Sequence, residues 1–527
     1  MLRNYYVVVD DPEHKDIVHQ ELLSDSGLNP IPSRSIECVD PMPFSWHNGI
    51  FLMTEEEAET LKADPRIRDV HLTPEEQGLT LGHCGVRKGR YDKRSSTTII
   101  TNTMTNWGLA RCISPVDNFG AVQTLNTYTY TLDGTGVDII LIDTGVEPGH
   151  PEFAANADGT GGTRVVDHDW TQYGIITSVP TGGFLGDCEG HGSNCASIAA
   201  GNTNGWAPKA NIYSLRAIGT GVPIEHSITT GAQLGLVNEI LAWQTVRAFH
   251  QNKTVDPKTG YKRPTIVSAS YQYQLPYQSI SSITYRGVTH ITNTSSGLYG
   301  VIGVPEGGSG THGVRVTASE AEIASTIAAG VVVVGAAGND SHKIDVPGGL
   351  DYLNYFTDAF SQSFYYHQGG TPGAATGVIC VGAIGDVTPD HKMSFSSTGP
   401  RVDVFAPGNF IMGAWSNQIY YFASVPDPRN PAYYLNKING TSQATPQVAG
   451  VCALLLQLRP QMTPAEVRDW VIKSAPTKLL NESFYATQGP SYAYISTGTY
   501  TNLSSLQGSV GGILYNPFNL PNPITIT

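Results

Sequence analysis

Four runs along the chain are almost continuously apolar: Val137 to Ile142 (VDIILI), Pro264 to Ala269 (PTIVSA), Val331 to Ala336 (VVVVGA) and Val378 to Ala383 (VICVGA). A strand with one face in water alternates apolar and polar positions, whereas a strand covered on both faces does not. The four runs therefore predict strands of a parallel sheet with helices on either side. Ser193 to Ala200, Ala232 to His250 and Thr445 to Leu458 have the length and spacing of the covering helices. The pattern predicts an α/β, three-layer domain with a mostly parallel central sheet.

The first 76 residues have a different rhythm. Tyr5 to Val9 (YYVVV) and Ile50 to Met53 read as strands, with Val70 to Leu72 as a last short one. Ile17, Val18, Leu22 and Leu23 give Glu13 to Leu23 a helical spacing, and Glu55 to Leu61 is a good helix former. A small α+β domain is expected at residues 1–76, with helices on one face of its sheet. Residues 77–105 are rich in Gly, Thr, Ser and basic side chains without a period, and read as a linker. The α/β domain is expected at residues 106–487, with Gly/Tyr/Ser-rich surface insertions near 271–317 and 340–373. Residues 488–527, polar and then Pro-rich, read as a tail that packs as irregular strand or stands off as an arm.

A chain of 527 residues exceeds one compact core, which agrees with this division. A formal net charge of -14 gives no general attraction for nucleic acid or anionic membranes, so neither is an expected partner. No apolar stretch has the length needed to span a bilayer. The dense basic stretch Arg87 to Arg94 (RKGRYDKR) is a solvated loop or an exposed processing site. The opening MLRNYYVVVDDPEHKD lacks the apolar core and small-residue cleavage site of a secretory signal. The expected location is cytoplasmic or virion-associated rather than secreted by the general route. Seven cysteines without a CxxC pair argue against a zinc site and for free thiols.

Four polar residues stand where chemistry is feasible. Asp143 ends an apolar strand, at the edge where open α/β sheets carry their sites. His191 lies between two glycines at the start of a small-residue helix (EGHGS). Ser442 precedes a long apolar helix, in a field that favours negative charge on its oxygen. Asn339 follows a buried strand and carries an amide donor. Singly, each is also a turn, loop or capping residue.

Together they carry a resemblance. GVDIILIDTGVEPGHPEF, GHGSNCASIAAG, VVVVGAAGND and NGTSQATPQVAG resemble the Asp, His, Asn and Ser motifs of the subtilases, in that family's order. Asn106 to Arg111 (NWGLAR), Asp143-Thr144-Gly145 and Cys195 just after His191 look most like the proteinase K branch. Phe395 to Gly408 (FSSTGPRVDVFAPG) resembles the family's late core, so the likeness runs over roughly residues 106–475. Four positions depart from it. His191-Gly192-Ser193-Asn194 stands where the family has His-Gly-Thr-His, and Gln443 and Gln447 replace Met and His around the serine.

The resemblance implies a subtilisin-like fold and a serine endopeptidase acting through an acyl-enzyme. Ser442 would be its nucleophile, His191 its base, Asp143 the orienting acid and Asn339 an oxyanion donor. It implies a polypeptide substrate pairing beside Ser268, Ala269, Ser270 and Tyr271, over a pocket floored by Gly335, Ala336, Ala337 and Gly338, whose small side chains leave room. Asp187 and Glu189 would favour a basic residue near the cut. The N-terminal domain would be a propeptide, an intramolecular inhibitor removed by self-processing. No cofactor is required for the chemistry. A structural calcium ion is compatible with the family, with Asp403 as its candidate ligand beside the plainer reading of a hydrogen-bonding Asp. The competing reading is a structural or virion-associated protein that retains the fold, favoured by the insertions and the Pro-rich tail.

Overall fold

The computed structural model describes residues 1–25, 34–41, 48–72, 85–92, 106–117, 124–187, 189–219, 236–257, 259–276, 280–291, 311–358, 363–386, 389–417, 424–476, 480 and 506–519. Two compact units divide between His83 and Cys84.

The first unit is the expected α+β domain. Its strands β1 (Arg3–Val9), β2 (Glu37–Asp40), β3 (Asn48–Met53) and β4 (Ile67–Leu72) form an antiparallel sheet in the order β2-β3-β1-β4. Alternate residues Tyr5, Val7 and Val9 of β1 point into the core. There they join Val18 and Leu22 from α1 (Lys15–Leu23) and Ala58 and Leu61 from α2 (Glu55–Leu61). Thr54 and Glu57 start α2 with a reciprocal capping box. The edge strand β2 escaped the sequence reading because its four residues, ECVD, bury no side chain fully.

The second unit opens with β5 (Gly85–Asp92) paired to β6 (Thr124–Tyr130), so part of the stretch expected as linker is a strand. A short helix, α3 (Gly108–Arg111), lies between them in sequence. Then come β7 (Asp138–Asp143), α4 (His191–Ala200), β8 (Asn211–Arg216), α5 (Glu239–Gln251) and β9 (Thr265–Ala269). The first insertion supplies β10 (Gln274–Pro276), β11 (Ile280–Tyr285), β12 (Val288–Ile291) and β13 (Thr311–Gly313). Next are α6 (Thr317–Ala328), β14 (Val332–Ala336), and β15 (Tyr355–Asp358) and β16 (Ser363–Phe364) from the second insertion. The chain continues through β17 (Ile379–Ile384), β18 (Val404–Pro407), β19 (Ile411–Trp415), β20 (Val425–Asp427), β21 (Asn430–Ile438), α7 (Thr441–Leu458) and α8 (Pro464–Ser474).

Six of these strands form the central sheet, in the order β18-β17-β14-β9-β7-β8, with every pairing parallel. Both faces are apolar. Ile139 and Leu141 of β7 and Val332 and Val334 of β14 face α4 and α7. Ile140, Ile142 and Val333 face Trp243 and Val246 of α5 and Ile323 of α6. That is the three-layer arrangement, and it explains the unbroken apolar runs. The two insertions combine, since β12-β11-β15-β16 is one antiparallel sheet drawn from both. The described part of the tail packs on the core: Ile513 bridges to Phe405, and Phe518 stacks on Trp470. No described helix is long and apolar enough to cross a membrane. Cys38, Cys195, Cys380 and Cys452 carry free thiols.

The hairpin β20–β21 leads straight into α7. Its turn is fixed by a buried ion cluster, in which Arg429 donates to Glu152 at 2.6 Å and to Asp427 at 2.6 and 2.9 Å. Both acids are fully buried. Burial opposes the charge on Glu152, but Arg429 and the Asn204 N–H outweigh it and hold the carboxyl at about 2. Arg429→Ala leaves two buried carboxylates without a cation and should cost about 3–5 kcal/mol. A thermal melt checks this, and a loss near zero would refute it. The wild-type contribution of Glu152 is present above the ordinary carboxylate value of 4.5 and declines as pH falls toward about 2.

Candidate active site

The order of the central sheet reverses at β7: the chain runs out to β8 and returns to β9 on the other side. Side chains at the carboxyl ends of such strands face a crevice. Asp143 is the last residue of β7 and is buried. Its Oδ1 accepts the Thr144 N–H and lies 2.7 Å from His191 Nδ1. Two glycines allow this approach. A Cβ on Gly192 would fall 2.0 Å from the Gly145 carbonyl oxygen, and Gly145 itself has φ +117°.

His191 begins α4, whose N-terminus has no side-chain cap at Gly190. Asp187 supplies the missing acceptor. Its carboxylate takes the backbone N–H groups of Glu189, Gly190 and Ser193 and the Thr144 hydroxyl. Thr144 Oγ1 in turn accepts the Gly192 N–H. Asp187 was expected to select substrate; it is instead fully buried and fastens the helix that carries His191. Burial works against a charged imidazole at His191, yet Asp143 raises it well above the ordinary 6.5.

Ser442 is the second residue of α7. Four residues on, Pro446 has no N–H to give to the Ser442 carbonyl. That carbonyl accepts from Ser270 Oγ at 2.9 Å and from the Cys195 thiol at 3.4 Å. In return Ser442 Oγ donates to the Ser270 carbonyl at 2.9 Å. The Cys195 sulfur also lies 3.9 Å from His191 Nδ1, so one thiol touches both residues. Asp143, His191 and Cys195 converge within 4.8 Å, the one described group of metal-ligand type. Burial raises the Cys195 thiol, which keeps it protonated and unsuited to ligation. Asn339 is exposed, and its Oδ1 accepts both the N–H and the hydroxyl of Thr441. This fixes the amide so that Nδ2 points elsewhere as a donor.

Other expected positions are only partly brought to this place. Ser268 and Ala269 lie inside β9, paired to Val334 and Gly335 on one side, with Ser268 paired to Leu141 on the other. Both edges of Ser268 are thus taken, Ala269 is paired on its β14 side, and from Ser270 onward the chain leaves the sheet. Tyr271 turns away from the cleft and donates to the buried Glu239, which also accepts from Tyr273, Ser319 and Trp243. Gly335 packs against Gly373, Ala336 and Ala337 are buried, and Gly338 is covered by Gln272. Gln272 thus takes up the space over Gly338, and Gly373 the space over Gly335, which narrows the pocket expected over these small residues. Asp403 does not suit a cation: Arg401, Arg468 and the Cys380 N–H all donate to its carboxylate.

The four departing residues make their own contacts. Gln443 Nε2 donates to Asn194 Oδ1 at 3.4 Å, so two of the replaced positions meet. Gln447 is satisfied by Asn106, Trp206 and the Pro407 carbonyl. Ser193 Oγ accepts the Glu147 N–H.

The model of the subtilase family matches residues 134–509, and the chain belongs to that family. It is 27% identical over 367 residues to a subtilisin-like protease of Coccidioides posadasii, covering 69% of this chain and 53% of that protein. It is 28% identical over 361 residues to an extracellular serine proteinase of a Thermus species, covering 68% and 60%. It is 27% identical over 388 residues to alkaline protease 2 of Aspergillus fumigatus, covering 73% and 56%. The chain thus spans little more than half the length of these relatives. A solved cold adapted subtilisin-like serine proteinase aligns with a TM-score of 0.46 at 21% identity, over 78% of this chain and 97% of its own.

The His191 ring should titrate above pH 6.5, charged below its midpoint and neutral above it. Asp143→Asn removes the main stabilising charge and should lower the midpoint, because burial then dominates. Histidine-ring NMR against pH reads both values. An unchanged midpoint in Asp143→Asn would show that the carboxylate does not govern the ring.

Proposed function

We propose that this chain is a serine endopeptidase whose triad is Asp143, His191 and Ser442. The observation that carries the reading is the 2.7 Å contact of His191 with Asp143 at the sheet's reversal point, with Ser442 at the same thiol as the ring. Asp143 holds the Nδ1–H tautomer, which leaves Nε2 as the base. The Ser442 hydroxyl turns from the Ser270 carbonyl toward Nε2, gives up its proton and attacks the peptide carbonyl. His191 returns that proton to the leaving amine, and water then releases the acyl group by the same route. The negative oxygen is held by Asn339 Nδ2 and the Ser442 N–H. Every step uses the chain's own groups, and no cofactor takes part.

Ser442→Ala should lower peptide hydrolysis by about a millionfold and abolish fluorophosphonate labelling, with the circular dichroism unchanged. Asn339→Ala should lower turnover by about 100- to 1,000-fold with little change in KM. Undiminished hydrolysis by folded Ser442→Ala refutes the assignment. A loss confined to KM in Asn339→Ala refutes the oxyanion role.

The N-terminal unit is proposed as a self-removed inhibitor. Its support is a core of its own and a following stretch of loose composition, the kind proteases cut. Wild-type protein should lose this unit, giving a new N-terminus within residues 77–105, while Ser442→Ala keeps it. Intact mass reads the outcome. A fully active protein that retains its original N-terminus overturns the proposal.

A further inference from the structure

Gln272 stands two residues beyond Ser270, and Asp340 directly follows Asn339. Gln272 Nε2 donates to Asp340 Oδ2 at 2.8 Å. Three glycines from separate segments leave space for this amide. A Cβ on Gly338, Gly313 or Gly370 would fall 2.5, 2.6 or 2.7 Å from Gln272 Oε1. That oxygen is buried and accepts no hydrogen bond from the described residues, a costly state for an amide carbonyl. Asp340 also has no cation beside it among the described residues. Its carboxylate takes the Gln272 amide and the Gly313 N–H, and burial raises it to about 6. Two acceptors therefore stand side by side with too few donors.

Asn339 is placed to hold the carbonyl oxygen of the residue on the acyl side of the scissile bond. The side chain of that residue then meets the neighbours of Asn339 and Ser270, namely Gly338, Asp340 and Gln272. We propose that Gln272 and Asp340 select a basic residue, Lys or Arg, on the acyl side. The Asp340 carboxylate supplies the counter-charge, and Gln272 Oε1 accepts a second N–H. An apolar side chain would dry the slot and leave Gln272 Oε1 without a donor and the Asp340 carboxylate without a counter-charge, the situation against which polar sites discriminate strongly. This inference rests on the serine-endopeptidase reading.

The test uses the full chain, after any self-processing, and tetrapeptide anilides that differ only in an acyl-side Lys, Arg, Phe or Ala. The kcat/KM for Lys and Arg should exceed that for Phe and Ala by about tenfold or more. Asp340→Asn preserves shape and removes charge, and should lower the Lys-to-Ala ratio by about tenfold. Gln272→Leu, a second variant, should lower the same ratio. A merely structural role would reduce all four substrates together and leave the ratio intact, which overturns the assignment. So does a wild-type ratio near one, or in favour of Phe or Ala, in protein that a fluorophosphonate labels. Wild-type protein that takes no label overturns the endopeptidase reading and this inference with it.

Discussion

The site depends on a missing hydrogen bond. Pro446 cannot donate to the Ser442 carbonyl, so the first turns of α7 carry an acceptor that the helix does not satisfy. Buried acceptors must be paired, and this one recruits Ser270 Oγ from the end of β9 and the Cys195 thiol from α4. One carbonyl thereby ties the helix that carries Ser442 to the strand beside it and to the helix that carries His191. The relative position of serine and histidine is set by main-chain and core contacts, so it does not require a direct bond between the two side chains in the resting state.

Two kinds of buried acid support this arrangement, and they behave differently. Asp187 and Glu239 hold loops together through neutral donors: three backbone N–H groups and a hydroxyl in the first case, four side chains in the second. Glu152, Asp427 and Asp403 are instead matched with arginines, away from the His191–Ser442 contacts. Close to His191 a fixed guanidinium would oppose the positive charge that Asp143 favours on the ring. Neutral donors position the loops without adding a competing charge.

Much of the architecture is legible because burial on two faces leaves an unmistakable mark. Each of the four apolar runs became a strand of the central sheet, displaced by no more than one residue. Strands β8 and β18 were missed. Asn211–Arg216 (NIYSLR) contains polar Ser214 and Arg216, which are buried but satisfied by contacts formed only in the fold. Helix α8 carried a usable signal, Thr463-Pro464 followed by Glu466, which is both a capping box and a proline at the first helical position. The pairing of the two insertions could not be read, because strand partners distant in sequence leave no local trace. At the site, the four polar residues were legible from their motifs. The duty of Asp187 was not, since an acid that binds backbone N–H groups looks in sequence like an acid that faces solvent.

The replaced positions around Ser442 show why motif departures need the fold for their interpretation. Asn194 and Gln443 lie 249 residues apart and meet side chain to side chain. The asparagine and the glutamine fill this contact with a hydrogen bond between their amides. Changing one partner alone would bury an amide without its mate. Gln447 follows the same logic, since its carbonyl and amide match the amide and carbonyl of Asn106, with Trp206 as a further donor. Gln272 breaks the pattern, for its amide is matched on only one side. Among these three glutamines, Gln272 is the one whose carbonyl finds no donor among the described residues, and it stands two residues beyond Ser270, whose carbonyl accepts the Ser442 hydroxyl.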